Sequence, residues 1–274
     1  MNTSTRHIES GDAWDDHYRR YQARLASEYL IPVLESWGVP VAGKRVLEAG
    51  SGNGGCAAEF HRAGGLVTAV DIDERLVETA RAINEREGLP VTTWAGDVCR
   101  PDCAGLDEGP FDIILLRDVV EHLDDLGGAL ENLGSRLSTD GVLYIVFPPY
   151  YSAYGAHQQI LPRKRIGPVP YNKLPFIHLL PDRWFGAITR GETPPHHEVA
   201  RLRKIRLTIR GFNRTATTSG FVIRHRRYYL TRPTHKLRYG IPVVGASVLG
   251  SVPLLNELVV TACYCLLDRK KPGA

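Results

Sequence analysis

Hydrophobic and polar positions along the chain change their spacing near residue 44. Before it, apolar residues recur every three or four positions, the spacing of an amphipathic helix. They are Trp14, Tyr18, Tyr21, Leu25 and Tyr29. Pro32 interrupts this helix, and a short second helix is predicted to follow and to end near Trp37. From Lys44 onward, short apolar runs typical of buried strands alternate with helical segments.

The alternating region predicts a parallel sheet with helices on both faces, because strand–helix–strand units form right-handed crossovers. Its predicted strands are residues 45–48, 66–70, 91–94, 111–116 and 142–147. Its predicted helices are residues 56–63, 74–86 and 127–137. The alternation stops at Pro148. Residues 148–200 are rich in proline, aromatic residues and histidine, and we interpret them as an insertion without a second sheet.

Regular spacing returns in the last quarter of the chain. A basic helical stretch is predicted over residues 201–218, followed by strands at residues 221–229 and 258–267. The two strands are joined without the pattern of a crossover helix. One of them is therefore expected to run antiparallel to its neighbours.

Charge is distributed unevenly between the two halves of the chain. The composition, 43% hydrophobic and 23% charged, is globular and excludes a disordered or collagen-like chain. Residues 1–150 hold 13 Lys and Arg against 25 Asp and Glu, whereas residues 151–274 hold 21 against 5. The basic second half predicts either an anionic partner or attraction to the first half. Five cysteines and an N-terminus without an apolar signal core favour a cytoplasmic protein.

A glycine-rich turn between a predicted strand and a predicted helix carries the candidate chemistry. The sequence from Val46 to Gly55 is VLEAGSGNGG, and its glycines let the backbone turn tightly and approach a ligand. Gly50, Gly52 and Gly55 match the dinucleotide fingerprint, so a dehydrogenase is an alternative. However, no Tyr is followed four positions later by Lys, as a short-chain dehydrogenase would require. A P-loop is excluded because Arg45 follows Gly43 and Lys44.

Three carboxylates follow the first three predicted strands. Glu48 precedes the first glycine, where an acidic side chain suits an amino-bearing ligand better than a pyrophosphate. Asp71, 23 residues later, ends the second strand, where a carboxylate can accept both ribose hydroxyls. Asp97 follows Gly96 after the third strand, where it can accept a hydrogen bond from an adenine amino group.

These motifs, together with the FDIILL strand at residues 111–116, occur in the order and spacing of the seven-stranded S-adenosylmethionine-dependent methyltransferases. The chain resembles that family over residues 43–147, and more loosely over residues 201–268. The resemblance implies a Rossmann-like, doubly wound α/β sheet of seven strands, mostly parallel with one antiparallel strand. The expected organisation is an N-terminal helical lid (1–40), a cofactor-binding core (41–147), an acceptor-binding insertion (148–200) and a C-terminal part completing the sheet (201–274).

The resemblance also implies roles in binding S-adenosyl-L-methionine. The loop residues Gly50, Ser51, Gly52 and Gly54 would pass beneath the methionine part and the ribose. Glu48 would lie near the amino-acid end of the cofactor. Arg117 would present its backbone to the methionine amino group, at a position where a small residue is commoner.

The nucleoside end of the cofactor would lie between the next two strand ends. By the same resemblance, Asp71 would bind the ribose diol and Ile72 would lie against the adenine. Asp97 and Val98 would flank the adenine on its other side.

Two histidines are candidates for the base that takes a proton from the acceptor, since a histidine pKa lies near working pH. His122 lies in an EHL segment that resembles the quinone-biosynthesis branch of the family. His157 lies in an aromatic loop after the fifth strand, at the carboxyl end of the sheet where ligands bind. Asp118, Glu121 and His122 have the spacing of a trio that resembles a divalent-ion site in ubiquinone O-methyltransferases. Asp118 has a shorter reach than the usual glutamate, and no metal is expected.

The sequence therefore predicts a methyltransferase that uses S-adenosyl-L-methionine to O-methylate a small-molecule or lipid-like acceptor, with His157 or His122 as base. Oxygen is the more common target atom in the family that the chain resembles, and the residues themselves do not indicate it. One alternative is C- or N-methylation of an anionic or carrier-bound acceptor, and another is a non-catalytic cofactor-binding regulator. Residues 239–256 are uncharged and flanked by basic residues, which suggests peripheral contact with an acidic membrane. The chain shows no separate nucleic-acid-binding module, and its oligomeric state is left open.

Overall fold

The computed structural model describes residues 12–162, 165–166 and 169–270, so the first eleven residues of the predicted lid lie outside the described part. The N-terminal end is helical throughout: α1 (Asp12–Leu25), a π-helical turn (Ala26–Leu30) and α2 (Ile31–Ser36). Pro32 stands in the first turn of α2, where a missing N–H is tolerated. The short helix predicted to follow Pro32 is therefore present, and it begins at Ile31, one residue before the proline.

The alternating region forms the predicted parallel sheet. Its strands are β1 (Arg45–Ala49), β2 (Leu66–Asp71), β3 (Thr92–Ala95), β4 (Phe111–Arg117) and β5 (Leu137–Phe147). The helices that join them are α3 (Gly55–Arg62), α4 (Glu74–Glu87) and α5 (Leu126–Ser135). β1 pairs in parallel with both β2 and β4. The strands β2 and β3 are therefore added on one side of β1, and β4 and β5 on its other side. Ligands of such sheets bind at the carboxyl ends of the strands, beside the point where the two sides meet.

The insertion after β5 contains short elements. A ribbon of two two-residue strands, β6 (Arg165–Ile166) and β7 (Val169–Pro170), precedes α6 (Asp182–Thr189) and α7 (Pro194–Ile205). The prediction of an insertion without a sheet did not include this ribbon. Buried residues of the insertion pack on one another around Tyr150, Tyr171 and Phe185. The segment thus has a small apolar core of its own.

The C-terminal part completes the sheet. It consists of α8 (Ile209–Thr218), β8 (Phe221–Thr231), α9 (Pro233–Tyr239), β9 (Val244–Gly245), α10 (Leu255–Val259) and β10 (Ala262–Arg269). The strand order is β3-β2-β1-β4-β5-β10-β8-β9. β10 is antiparallel to β5 and β8, as expected for one of the last strands. The described sheet has eight strands and not the predicted seven, because β9 adds two residues to the edge of β8.

Several predicted elements have different boundaries in the structure, and β5 begins at Leu137 and not at residue 142. The helical stretch 201–218 is divided because Arg206 adopts a left-handed conformation with φ of 51°, and the Thr208 hydroxyl then caps α8 by accepting from the Gly211 N–H at 2.8 Å. The last strand begins at Ala262 and not at residue 258, because residues 255–259 form α10, the helix that carries Glu257. Its carboxylate accepts the N–H groups of Ile209 and Arg210, at 2.9 Å each.

Apolar cores lie on both faces of the sheet. One face packs against residues of α2 and α3, such as Leu34 and Phe60. The other packs against α5 and α8 through residues such as Leu130 and Phe212. Both faces are thereby covered, and the exposed functional edge is the carboxyl end of the parallel strands. No helix in the described ranges is long and apolar enough to cross a bilayer.

Candidate active site

The turn between β1 and α3 is shaped by glycines in left-handed conformations. Gly50, Gly52 and Gly54 have φ values of 79°, 58° and 75°. A side chain at Gly50 would also overlap Val119, which follows β4. The N–H groups of Gly50 and Ser51 both donate to the carbonyl of Val70, at 2.8 and 3.0 Å, and so hold the loop against β2. The loop is a fixed cradle at the sheet edge.

Helix α1 packs directly on this loop, a contact that the sequence analysis missed. The Arg19 guanidinium donates to the Asn53 carbonyl at 2.7 Å and to the Asn84 side chain at 2.9 Å. The Gln22 side chain accepts the Gly55 N–H at 3.2 Å. Arg19 and Gln22 are one helical turn apart and almost fully buried. Two polar residues beside the apolar stripe were the available signal for this contact.

The Glu48 carboxylate is buried at the end of β1. The residue is 1% exposed, and neither carboxylate oxygen has a hydrogen-bond partner within the described residues. Burial raises the pKa of Glu48 to about 7, although the nearby Arg117 guanidinium opposes the rise. A cationic group at this position would find an unpaired carboxylate.

The Arg117 side chain also turns into this region instead of toward solvent. It is 6% exposed, its Nη1 lies 2.8 Å from the Asp118 carboxylate, and its Nε is unpaired among the described residues. Burial works against its charge, but Cys56, Tyr18 and Asp118 together raise its pKa well above the usual value. Arg117 therefore stays charged, and it brings a guanidinium as well as a backbone to the site.

Asp71 and Ile72 lie at the end of β2. One Asp71 oxygen accepts the Gly52 N–H at 2.6 Å, and the other accepts the Asp73 N–H at 2.9 Å. These bonds fix the carboxylate beside the glycine loop. Ile72 is 74% exposed, an unusual state for an isoleucine next to a binding edge.

The turn after β3 is held by Asp97 and Val98. An Asp97 oxygen accepts the Cys99 N–H at 2.9 Å, while Val98 is buried and its carbonyl accepts from the Asn132 side chain at 2.8 Å. The structure thus places the carboxylates of the first three strand ends along one edge, in the order the sequence predicts.

These residues fit S-adenosyl-L-methionine. Glu48 supplies an unpaired buried carboxylate for the amino group, and the glycine loop supplies a surface without side chains. Asp71 supplies an ordered carboxylate for a ribose diol, and Ile72 supplies an exposed apolar side chain for a flat base. Carboxylate acceptors beside an exposed apolar side chain are the groups that a cationic nucleoside requires.

A second group of titratable side chains lies beyond β4. Glu121 is 2% exposed, and its Oε1 lies 3.4 Å from His157 Nε2 and 3.8 Å from His122 Nε2. The two imidazole rings meet edge to face, with centroids 5.3 Å apart. Burial, with a smaller contribution from Asp118, raises the pKa of Glu121 to about 8. Burial also lowers the pKa of His157 to about 4, so this ring is neutral at neutral pH.

His122 has a partner that the sequence analysis did not connect with it. Its Nδ1 makes a short hydrogen bond with the carboxylate of Glu198, which lies 76 residues away on α7. This hydrogen bond lowers the pKa of Glu198, so the carboxylate is ionised at neutral pH. The insertion therefore orients one of the two candidate bases.

Asp118 forms ion pairs with two arginines and, among the described residues, none with His122 or His157. Its oxygens lie 2.8 Å from Arg117 Nη1 and 3.6 Å from Arg232 Nη1. Burial alone would raise the pKa of Asp118, but the two guanidiniums lower it overall. Its φ of 53° and that of His157, also 53°, are left-handed conformations that Asp and His tolerate better than most residues. The expected trio of Asp118, Glu121 and His122 is thus not formed by side-chain contact.

His157 takes the third place in that cluster. The ligand atoms of Glu121, His122 and His157 lie within 4.8 Å of one another, close enough to share one metal ion. By contrast, His196 and His197 point to different neighbours: His196 bonds to Thr193, and His197 bonds to the Glu192 carbonyl.

A cavity of about 370 Å³ is lined by Ser152, Tyr154 and Gln159, on either side of His157 in the chain, but not by Glu121, His122 or His157. Its walls come from Pro148 at the end of β5, from the insertion near Tyr154, and from the residues after β8, including Arg232. A wider groove of about 1080 Å³ lies between α8, β8 and residues 245–257. We identify the smaller cavity as the candidate acceptor pocket, because it shares Arg232 with Asp118 and lies at the carboxyl end of the strands.

Comparison with known proteins gives a family match for more than half of the chain. Residues 16–180 match the family model described as a methyltransferase domain. The ubiquinone biosynthesis O-methyltransferase of Caulobacter sp. (strain K31) is 32% identical over 106 residues, covering 39% of this chain and 41% of that protein. Its counterpart from Xanthomonas euvesicatoria is 31% identical over 118 residues, covering 43% and 46%. The chain thus spans less than half the length of these curated relatives.

Solved structures of low sequence identity share the fold. The magnesium protoporphyrin IX methyltransferase of Synechocystis PCC 6803, solved with bound SAH, has a TM-score of 0.54 at 16% identity, covering 96% of this chain and 89% of that chain. An S-adenosylmethionine-dependent methyltransferase from Mesorhizobium loti has a TM-score of 0.54 at 19% identity, covering 87% and 96%.

Proposed function

This chain belongs to the methyltransferase-domain family, and on that basis we propose that it transfers a methyl group from S-adenosyl-L-methionine to an oxygen of a small-molecule acceptor. The observation that carries the proposal is the unpaired, buried Glu48 carboxylate beside the left-handed glycines of the loop. A dinucleotide pyrophosphate would meet an unfavourable negative charge there, whereas an ammonium group would be stabilised.

The cofactor roles follow from the strand ends. In this proposal Glu48 binds the amino group, and the loop from Gly50 to Gly54 lies beneath the methionine part and ribose. Asp71 binds the ribose diol. The adenine lies between Ile72 and the turn that carries Asp97 and Val98. Arg117 takes a role beyond its backbone, since its buried guanidinium has an unpaired Nε and suits a carboxylate.

When bound, the cofactor supplies an activated methyl group and its own leaving group. The protein has to exclude water, align the acceptor oxygen and remove its proton. The candidate acceptor pocket, which Arg232 connects to Asp118, is where we place these three tasks.

We assign proton removal to His122. The ionised Glu198 carboxylate accepts a hydrogen bond from the Nδ1–H of His122. The Nε2 lone pair is then available to the hydroxyl of the methyl acceptor. The same carboxylate stabilises the imidazolium that forms. His157, with a pKa of about 4, is a much weaker proton acceptor, and we assign it a positioning role against Glu121. Asp118 acts electrostatically by holding Arg117 and Arg232 in place.

The first experiment is calorimetric titration of the full chain with S-adenosyl-L-methionine and, in parallel, with NADH. Micromolar binding of the first without binding of the second is expected. A screen of phenols, sugars and lipids for formation of S-adenosylhomocysteine then tests the oxygen target. Binding of NADH alone would show that the glycine loop takes a dinucleotide, and the proposal would fall. Cofactor binding with turnover of none of the acceptors would instead favour a regulatory role.

Glu48 makes cofactor affinity depend on pH. With a pKa of about 7 in the free protein, Glu48 becomes protonated as the pH falls below 7, and that proton must leave before an ammonium group can pair with it. We expect Kd for S-adenosyl-L-methionine to rise by up to about 25-fold as the pH falls from about 7.5 to about 5.5. Calorimetry across this range measures the slope.

The matched variant for that measurement is Glu48→Gln. It keeps the size of the side chain and removes the titrating group, so the slope should disappear while binding becomes weaker at every pH. A wild-type Kd that stays constant over the range would contradict the assignment of Glu48.

We further propose that residues 239–256 touch an acidic membrane. Val248 and Leu254 are 74% and 76% exposed, and the neighbouring Leu249, Val252 and Leu255 are also exposed. No charged residue interrupts this segment, and Lys236 and Arg238 precede it. Exposed apolar side chains with a basic flank suit the interface of an anionic bilayer.

Sedimentation with lipid vesicles tests this contact. The protein should bind vesicles of phosphatidylcholine and phosphatidylglycerol better than vesicles of phosphatidylcholine alone. The double change Val248→Ser and Leu254→Ser should weaken binding at least about tenfold, because each side chain contributes about 1.5 kcal/mol when buried. Val222→Ser, at a 50% exposed position on β8, is the control and should change little. Equal binding by wild type and double variant would refute the proposal.

A further inference from the structure

The candidate acceptor pocket has an uneven distribution of charge. Lys173 approaches it from the insertion, and Arg232 and Arg238 approach it from the end of β8 and from α9. No aspartate or glutamate is among the residues that line it within the described chain. Pro148 and Ile241 add apolar surface. The pocket therefore combines three cations with an apolar wall.

The cations of this pocket are only partly neutralised by their neighbours. Arg232 lies 3.6 Å from Asp118, but Asp118 makes its closer contact with Arg117, at 2.8 Å. One carboxylate thus serves two guanidiniums. Arg238 stacks on the ring of Tyr21, with 4.4 Å between its guanidinium carbon and the ring centroid. Neither Arg238 nor Lys173 forms an ion pair with a described carboxylate.

A fourth basic side chain of the pocket is uncharged. Burial, with help from Arg232 and Arg238, lowers the pKa of His235 to about 4. At neutral pH the ring can offer one N–H donor without adding charge. The surplus of positive charge therefore comes from Lys173, Arg232 and Arg238.

We propose that this pocket recognises an oxyanion, a carboxylate or a phosphate, carried on an apolar body by the methyl acceptor. The inference rests on the proposed methyl transfer and names the chemical class of its acceptor. Two guanidiniums and an ammonium around one pocket match an oxyanion in charge and in hydrogen-bond donors. Pro148, Ile241 and the ring of Tyr154 contact the apolar body.

The positions of the cations also bear on how the acceptor is oriented in the pocket. Arg232 lies 3.6 Å from Asp118, which precedes Glu121 and His122 in the chain, and so links the pocket to that segment. Lys173 and Arg238 line the same pocket from the insertion and from α9. In this proposal the acceptor anion is held by side chains that do not take its proton, and its reacting hydroxyl extends from the pocket toward His122. Binding and proton removal are carried out by different residues.

Three probes that share one aromatic body test the proposal: 2-naphthoate, 2-naphthyl phosphate and 2-naphthamide. They are titrated by calorimetry into the full chain saturated with S-adenosylhomocysteine, at low salt. We expect naphthoate or naphthyl phosphate to bind at least about tenfold tighter than the neutral amide. The stronger of the two anions identifies a carboxylate or a phosphate as the preferred group.

Substitutions locate the preference. Arg238→Gln should remove most of it and leave naphthamide binding unchanged, and Arg238→Lys should restore part of it. Lys173→Gln should lower it by a smaller factor. Lys236→Gln is the matched control, since Lys236 is exposed on the same helix as Arg238 and does not line the pocket. Thermal melting of each variant checks that it is folded.

The inference is overturned if neither anion binds, if the amide binds as tightly as both anions, or if Lys236→Gln lowers the preference as much as Arg238→Gln. The first two results compare probes on the wild-type protein, so they do not depend on any variant folding. Cofactor titration separates this outcome from failure of the proposed function. Normal binding of S-adenosyl-L-methionine with no preference for anions would refute the acceptor class alone.

Discussion

Changing His122 to alanine should lower kcat for methyl transfer by about 10²- to 10⁴-fold, the usual contribution of a positioned general base. Its Nε2 is the only nitrogen of the ring left for an acceptor proton, because Nδ1 is engaged by Glu198. The rate of S-adenosylhomocysteine formation at saturating cofactor, with an acceptor found in the screen, measures the effect. Affinity for the cofactor should change little, which separates lost catalysis from a disturbed fold.

The role of Glu198 is tested in the same assay. Glu198→Gln keeps the shape of the partner but removes the charge that stabilises the imidazolium, so kcat should fall at least about tenfold. His197→Ala is the control, since His197 is exposed on α7 and its ring bonds only to the nearby Glu192 carbonyl among described partners. If His122→Ala retained more than about a tenth of wild-type turnover, another group would have to take the proton.

Replacing Asp71 by alanine is expected to weaken binding of S-adenosyl-L-methionine by about 1.5–3 kcal/mol, or about 10- to 150-fold in Kd. The carboxylate is fixed by the N–H groups of Gly52 and Asp73, so it meets the ribose hydroxyls without having to be reoriented. The substitution also removes an anchor of the glycine loop. Both effects act in the same direction, and calorimetry measures their sum.

Asp71→Asn distinguishes these two effects. Its amide oxygen can still accept the Gly52 N–H, but the side chain lacks charge and the second acceptor oxygen. We expect an intermediate loss of affinity. Glu74→Gln, at an exposed position in the first turn of α4, should bind the cofactor as the wild type does. Unchanged affinity in Asp71→Ala, with an unchanged melting temperature, would remove the ribose assignment.

The parallel sheet and its binding edge could be predicted because both depend on local sequence. Strand–helix alternation determines the crossovers, and glycine or a carboxylate directly after a strand lies at its carboxyl end. The sequence around each residue was therefore sufficient to predict that Glu48, Asp71 and Asp97 lie at the binding edge. The β9 strand could not be predicted in this way, since it consists only of Val244 and Gly245, and two residues show no periodicity.

Contacts between distant segments account for most of what the sequence did not reveal. Glu198 lies in the predicted insertion, 76 residues after His122, and only the structure shows that α7 brings the two side chains together. Arg19 and Gln22 occupied the polar side of an amphipathic pattern, and only the docking of α1 showed that they support the glycine loop. Arg117 was predicted to act through its backbone, yet its side chain is buried, and Tyr18 and Cys56 from other elements raise its pKa.

The insertion after β5 contributes Glu198 to the base and Lys173 to the acceptor pocket, while the cofactor edge is built from β1, β2 and β3. The insertion therefore takes part in both proposed steps: in the choice of acceptor together with Arg232 and Arg238, and in the activation of its oxygen together with His122. Divergence within that segment can change what is methylated without altering how the methyl donor is held. Such an arrangement lets an old donor site acquire new chemistry by local sequence change.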